Sequence, residues 1–167
     1  METSQLHLIE GPVGAGKSTY AGRLALELRA AHMDLDDWMV RLFSPDRPAD
    51  DFVAWYQERK RRCLEQIWVV SQDLIEKGQS VVLELGLVQR VDREEFYARA
   101  DGAGIELSIY LLDAPKDVRW QRVQRRNAEQ GATFKMAVSE EIFQIANAAW
   151  QPPDDAEIQA RGIAEVS

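Results

Sequence analysis

Cysteine and histidine are scarce in this chain of 167 residues. Cys63 is the single cysteine, so no disulfide can form within the chain, and the sequence gives no sign of an oxidising compartment. The two histidines, His7 and His32, are too few for a zinc constellation. We therefore expect a cytoplasmic protein in which Cys63 is a small buried apolar side chain and His7 lies in the core or at the edge of a strand.

Long apolar runs and an excess of basic residues are also missing. Apolar segments such as IWVV and VVLEL are far too short to span a membrane, and the start of the chain lacks the basic-then-apolar pattern of a secretory signal. The formal net charge is -8, whereas proteins that hold a nucleic-acid backbone usually present a broad basic face. We expect no membrane partner, and the charge argues against a nucleic-acid partner.

The hydrophobic pattern predicts one domain, residues 1–167, in which strands alternate with helices. Strands separated by helices form parallel sheets with right-handed crossovers, so the predicted fold is a doubly wound α/β sheet with helices on both faces. The predicted strands are at 5–10, 80–86, 105–112 and 162–166, and HMDLDDWMVRLF is predicted to contain a very short second strand followed by the start of a helix. The other predicted helices are at 17–31, 52–76, 92–101, from Pro115 onwards and at 138–149. The stretch from Gln151 is expected to be irregular apart from the last strand.

A glycine-rich segment, GPVGAGKST, lies between the first predicted strand and the first predicted helix. It fits the pattern G-x-x-x-x-G-K-[ST], in which backbone N–H groups surround phosphates, the lysine reaches the β- and γ-phosphates and the following hydroxyl binds Mg²⁺. A turn without a ligand would need one glycine rather than three. We therefore expect a nucleoside triphosphate at this loop, with Mg²⁺ on Ser18. The residues assigned to the nucleotide are Gly11, Pro12, Val13, Gly14, Ala15, Gly16, Lys17, Ser18 and Thr19.

Acidic side chains follow two other predicted strands. Asp34, Asp36 and Asp37 form one cluster, and at least one of them should overhang the γ-phosphate and act as the base for an attacking hydroxyl. Alternatively, Asp34 caps the next helix while Asp36 and Asp37 face solvent in its first turn. Glu84 ends the third strand, where it would hold Mg²⁺ through water or instead pair with an arginine such as Arg90 or Arg93.

An arginine series lies on the helix after Pro115. Arg119, Arg122 and Arg126 share one helix face, and together they would form a catalytic lid around 116–135 that stabilises a phosphoryl group in transit. The alternative is a solvated charged face, which is the usual fate of a charge run. The second basic run, ERKRR at 58–62, is interpreted as an exposed helix surface.

The order of the motifs GPVGAGKST, MDLDD, VVLELG, RVQRRN and WQPPDDAE resembles the predicted small P-loop kinases of the AAA type. These are similar to gluconate kinase, chloramphenicol phosphotransferase, the zeta toxins and the kinase domain of polynucleotide kinase. The resemblance covers nearly the whole chain. It implies a P-loop NTPase fold with strand order 2-3-1-4-5, ATP rather than GTP, Asp36 as the general base, and Arg122 and Arg126 as the lid arginines that act with Lys17.

The chain departs from these relatives at three places. Met39 stands where the polynucleotide kinase pattern has an arginine, Glu84 stands where aspartate is more common, and Trp150-Gln151 replaces an aromatic-acid pair that commonly lies near adenine. The first departure argues against a nucleic-acid 5′-hydroxyl as the acceptor.

We therefore expect a Mg²⁺-dependent ATP phosphotransferase acting on a hydroxyl of a small molecule. Arg119 is assigned to the nucleotide, and Arg41 and Arg90 are assigned to the acceptor, because specificity should reside in the segments 38–62 and 86–95. The alternatives are a kinase of a nucleic-acid end or of a nucleotide sugar, and a nucleotide-dependent switch with slow hydrolysis. A switch would not need both a base and an arginine lid.

Overall fold

A computed structural model describes residues 3–167. Its centre is one sheet of five parallel strands in the order β2-β3-β1-β4-β5. The strands are β1 (Leu6–Glu10), β2 (Ala31–Asp34), β3 (Val81–Glu84), β4 (Leu107–Leu112) and β5 (Ala164–Val166). The predicted α/β P-loop NTPase fold, with its strand order, is confirmed.

Seven helices connect or flank these strands within the described residues. They are α1 (Lys17–Leu28), α2 (Leu35–Leu42), α3 (Phe52–Glu76), α4 (Arg90–Gly102), α5 (Lys116–Glu129), α6 (Glu140–Ala149) and α7 (Asp155–Arg161), with a short 3₁₀ turn at Ser44–Asp46. Side chains alternate across each strand, so Leu6 and Leu8 pack in the larger core with α3 and α4. Ile9 points to the other face and packs against α1. Helices therefore cover both faces of the sheet, as predicted.

Several element boundaries differ from the prediction by a few residues, and one helix was not predicted. Helix α1 ends at Leu28 rather than at residue 31, because Arg29 adopts a left-handed conformation with φ of 52° that closes the helix. The stretch expected to be irregular contains α7. Its signals are local: the Asp154 side chain accepts a hydrogen bond from the N–H of Glu157, and Gly162 ends the helix with φ of 60°.

A buried polar network ties the end of β1 to α4 and α7. Arg93 is fully buried and donates to both carboxylate oxygens of Glu157, at 2.7 and 2.9 Å. The hydroxyl of Tyr97 lies 2.5 Å from Glu10 Oε1, and desolvation raises the pKa of Glu10 to about 7. The alternative in which Arg93 pairs with Glu84 is therefore wrong, because Arg93 is committed to Glu157.

Several smaller expectations concern single residues. His7 and Cys63 are both buried, and His7 Nδ1 lies 3.1 Å from the hydroxyl of Tyr110. Arg61 and Arg62 both pair with Glu58 on the exposed surface of α3, as the interpretation of the basic run expected. Between residues 3 and 167, every helix is either too short or too polar to cross a bilayer.

Candidate active site

The phosphate loop packs tightly against neighbouring backbone. A Cβ on Gly11 would lie 2.2 Å from the carbonyl oxygen of Leu112, and a Cβ on Gly14 would lie 2.6 Å from that of Arg119. Gly14 also has φ of 80°, a conformation that side chains rarely adopt. Both glycines are therefore needed to let the loop lie between β4 and the start of α5.

Cationic side chains hold the carbonyl groups of the loop. Lys17 Nζ donates to the carbonyl oxygens of Gly11 and Pro12, both at 2.8 Å, and Arg122 Nη1 donates to that of Ala15 at 3.3 Å. The first N–H groups of a helix have no intrahelical acceptor, and Gly16 at the N-cap of α1 provides no side-chain cap. The start of α1 therefore presents free N–H donors, the arrangement that binds phosphate.

Four charged side chains converge beside this loop. Desolvation lowers the pKa of Lys17 to about 8, although the carboxylates of Asp36 and Glu84 act in the opposite direction. The positive charge of Arg126 lowers the pKa of Lys17 further. A bound polyphosphate would supply negative charge and stabilise the protonated lysine.

The three aspartates after β2 have different environments. Asp34 caps α2, accepting from the N–H groups of Asp36 and Asp37 at 3.0 and 3.3 Å, as the capping alternative expected. Asp37 pairs with Arg41 at 2.9 Å. The carboxylate of Asp36 has no hydrogen-bond or ion-pair partner among residues 3–167, and this side chain is accessible to solvent.

The surroundings of Asp36 favour its protonated form more than water does. Nearby protein atoms desolvate the carboxyl group and raise its pKa, Lys17 opposes that shift, and Glu84 adds to it. A carboxylate with a raised pKa that is open to solvent is suited to take a proton from a ligand. Its role as the base stays a prediction.

Glu84 lies at the carboxyl end of β3, directly opposite Asp34 in the sheet register. Ser18 Oγ donates to Glu84 Oε1 at 2.9 Å, and His32 Nε2 lies 2.6 Å from Glu84 Oε2. Glu84 thus pairs with His32 and Ser18 rather than with an arginine. His32, Asp34 and Glu84 each offer a ligand atom, all within 4.8 Å of one another. Carboxylate and hydroxyl oxygens fit the preferences of Mg²⁺.

Arg119 supports the phosphate loop from behind. It is 5% exposed and donates to the carbonyl oxygens of Ala114 and Val13, at 2.9 and 3.0 Å, and to Asn147 Oδ1 at 2.6 Å. These bonds use all three guanidinium nitrogens. Arg119 therefore braces the loop, while its predicted contact with the nucleotide itself stays a prediction.

The other arginines of α5 lie on the side of the loop that would face a ligand. Arg122 reaches the carbonyl groups of Gly14 and Ala15. Arg126 is half-buried, its Nε has no hydrogen-bond partner among the described residues, and its charge acts on both Lys17 and Asp36. Arg126 at least is not part of a solvated charged face.

The two arginines assigned to the acceptor lie on the surface. Arg41 is paired with Asp37, and Arg90 donates to Glu94 and Asp154 at 2.7 and 2.6 Å. Each would have to leave or share a carboxylate partner in order to bind a substrate. Their role in acceptor binding stays a prediction.

Two residues that the sequence did not single out, Lys135 and Tyr56, lie near the site, together with Lys60 from the basic run that was interpreted as exposed helix surface. The ammonium group of Lys135 contacts the carboxylate of Asp34 directly and lies 3.5 Å from Ser18 Oγ. The charge of Lys60 acts on Asp36. Desolvation raises the pKa of Tyr56, and the charge of Asp36 adds to that shift. Tyr56 and Lys60 are spaced i, i+4 on α3, and that spacing was the available signal.

Comparison with known proteins identifies the family to which this chain belongs. Residues 6–153 match the family described as AAA domain. A candidate kinase from Chloroflexus aurantiacus has a similar structure, with a TM-score of 0.73 and 20% identity over 99% of this chain and 86% of that one. A gluconokinase from Sinorhizobium meliloti gives a TM-score of 0.61 and 16% identity, covering 99% and 83% of the two chains.

A third similar structure contains a nucleotide analogue. Kti12 from Chaetomium thermophilum, in complex with ADP-AlF3, has a TM-score of 0.71 and 14% identity, with 97% of this chain and 88% of that chain covered. At these identities the likeness concerns the fold. None of the functionally curated proteins is detectably similar in sequence.

Proposed function

This chain belongs to the AAA domain family, and from that membership we propose that it is a Mg²⁺-dependent kinase that transfers the γ-phosphate of ATP to a hydroxyl group of a small molecule. The family and the fold support a nucleotide-dependent phosphotransferase. The finer assignment depends on one observation: Asp36 is the only aspartate of its cluster without a partner in the described chain, and the charges of Lys17 and Arg126 act on it. With Cys63 alone and no disulfide, we place the enzyme in the cytoplasm.

The transfer step uses side chains that the fold already brings together. The acceptor oxygen attacks the γ-phosphorus, the bond from that phosphorus to the bridging oxygen of ADP breaks, and Asp36 takes the proton of the acceptor hydroxyl. Lys17 neutralises the β- and γ-oxygens, while Arg122 and Arg126 stabilise negative charge on the group in transit. Ser18 and Glu84 would hold Mg²⁺, which would neutralise charge between the phosphates.

Asp36→Asn tests this assignment. Labelled phosphate from ATP is first followed into hydroxyl-bearing metabolites, nucleosides and sugars, in order to identify an acceptor. The variant keeps the size of the side chain but accepts a proton poorly, so transfer should fall by roughly 10²-fold or more while ATP affinity holds. Asp37→Asn is the matched control, because it removes a carboxylate from an exposed pair one residue away.

Two outcomes would count against Asp36 as the base. Transfer at the wild-type rate in Asp36→Asn would show that another group takes the proton. Parallel losses of ATP affinity and of Mg²⁺ dependence would show that Asp36 acts on the metal instead.

Lys60 favours a second candidate, a kinase whose acceptor carries an anionic group such as a nucleotide sugar. Its positive charge acts on Asp36, and no carboxylate pairs with it within residues 3–167. The acceptor screen should therefore include phosphorylated sugars and nucleotide sugars beside neutral ones. Lys60→Met should weaken binding of an anionic acceptor and leave a neutral one unchanged.

A further inference from the structure

Lys135 places a positive charge in the part of the site where metal binding is expected. Its ammonium group contacts Asp34 and lies 3.5 Å from Ser18 Oγ, and its side chain is only 20% exposed. Asp34 is itself 12% exposed, so the pair is largely removed from water. Neither the phosphate-loop motif nor the proposed transfer step uses this lysine.

The position of Lys135 is set by the fold. It belongs to the segment between α5 and α6, and two hydrogen bonds anchor the end of that segment to α5. Asn127 Nδ2 donates to the carbonyl oxygen of Val138 at 2.8 Å, and the N–H of Val138 donates to Asn127 Oδ1 at 3.0 Å. The Val138 side chain is buried with Val123 and Phe143. Lys135 is therefore held three residues from an anchored point, over the phosphate loop.

A metal ion and this ammonium group would compete for the same space beside Ser18 Oγ. Ser18 and Glu84 are the proposed metal ligands, and the carboxylate of Asp34 lies within 4.8 Å of that of Glu84. Mg²⁺ binds its ligands at about 2.1 Å and keeps several waters, so it needs the space beside Ser18 Oγ. Two cations that close to each other also repel strongly where water is partly excluded.

We propose that Lys135 is a resident cation of the metal site: it neutralises Asp34 beside Ser18, and a metal ion that binds with the nucleotide displaces its ammonium group. This rests on the proposed metal–nucleotide function. Lys135 thereby sets the metal affinity of the enzyme, because its ion pair with Asp34 must be given up whenever the metal enters.

Mn²⁺ is the probe for this competition, because its binding is measured directly by electron paramagnetic resonance without any acceptor. Affinity for Mn²⁺ is compared, with saturating ADP, between the wild type and Lys135→Met, which keeps the length of the side chain without its charge. The variant should bind Mn²⁺ roughly tenfold more tightly, within the range of coupling between two linked sites. Lys116→Met, an exposed lysine at the start of α5, is the matched control and should behave as the wild type.

Lys135→Arg provides the second variant. It restores the positive charge, so it should return the affinity toward the wild-type value. Thermal unfolding of both variants shows whether each is folded when the metal affinity is measured.

Unchanged or weaker Mn²⁺ binding in folded Lys135→Met would overturn the proposal. If transfer also fell in that case, Lys135 would act on the phosphoryl group rather than on the metal site. Failure of the wild type itself to bind Mn²⁺ with ADP would instead refute the metal site of the proposed function, and this proposal with it.

Discussion

Glu10 should make the stability of the protein depend on pH in a direction unusual for a carboxylate. It is 3% exposed at the end of β1, and its Oε2 has no hydrogen-bond partner among the described residues. Desolvation is the main cause that raises its pKa to about 7, and Glu157 adds to the shift. Tyr97 and Arg93 act against it without cancelling it.

The direction of the pH dependence follows from the difference in proton binding between the folded and unfolded states. Between the usual pKa of 4.5 and the folded value of about 7, the folded protein holds the Glu10 proton more tightly than the unfolded chain does. The free energy of unfolding should therefore be highest below the usual pKa, fall as pH rises through this window, and level off above it. The difference between the usual pKa of 4.5 and the folded pKa of about 7 corresponds to a loss of about 3 kcal/mol, and Glu10 is too buried for solvent screening to reduce this much.

Glu10→Gln removes the titrating group and can still accept a hydrogen bond from Tyr97. Urea unfolding at pH values from 5 to 8 should show a fall in stability in the wild type relative to the variant, which should be the more stable of the two at pH 8. Comparing the two proteins matters because burial lowers the pKa of His7, and a lowered histidine pKa makes stability rise with pH in the same window. Glu76→Gln, at the exposed end of α3, is the control.

The wild-type and Glu10→Gln curves should therefore diverge with pH. Parallel curves would refute the reasoning, because they would mean that Glu10 is ionised in the folded protein throughout the window.

The remaining predictions concern the phosphate site. Lys17→Ala should remove most nucleotide affinity or turnover and leave the far-ultraviolet circular dichroism unchanged, because the hydrogen bonds of this lysine go to loop carbonyl groups. ATP affinity and turnover equal to those of the wild type would contradict the phosphate-loop assignment. Arg122→Ala and Arg126→Ala should lower the transfer rate more than ATP binding, as expected for groups that act mainly in the transition state. Wild-type rates in both variants would show that these two arginines have no catalytic role.

The features predicted correctly from the sequence are those fixed by neighbours along the chain. The phosphate loop needs glycine, lysine and serine within nine residues of GPVGAGKST, and strand-helix alternation restricts the topology to a few choices. The cap that Asp34 gives to α2 is local in the same way, with its acceptor two and three residues from the donors. Such patterns can be recognised in a single sequence because residues that are close along the chain are also close in the folded protein.

Contacts between distant segments could not be predicted in the same way. Lys135 meets Asp34 across 101 residues, and Arg119 meets Val13 across 106 residues. Helical spacing predicted that Arg119, Arg122 and Arg126 share one face, but it could not show that Arg119 lies behind the loop while Arg122 contacts the carbonyl groups of Gly14 and Ala15. That distinction depends on how α5 docks against the loop, where a Cβ on Gly14 would meet the backbone of Arg119.

The packing of α2 bears on the choice between acceptors. Met39, at the position where the polynucleotide kinase pattern has an arginine, is 5% exposed and packs in the main core. An arginine there would bury its charge unless the helix rotated, and rotation would move Asp36 away from the phosphate loop. On α3, Lys60 is one of the cations whose charge acts on Asp36. Without an arginine at position 39, the proposed function favours a small molecule over a nucleic-acid end as the acceptor.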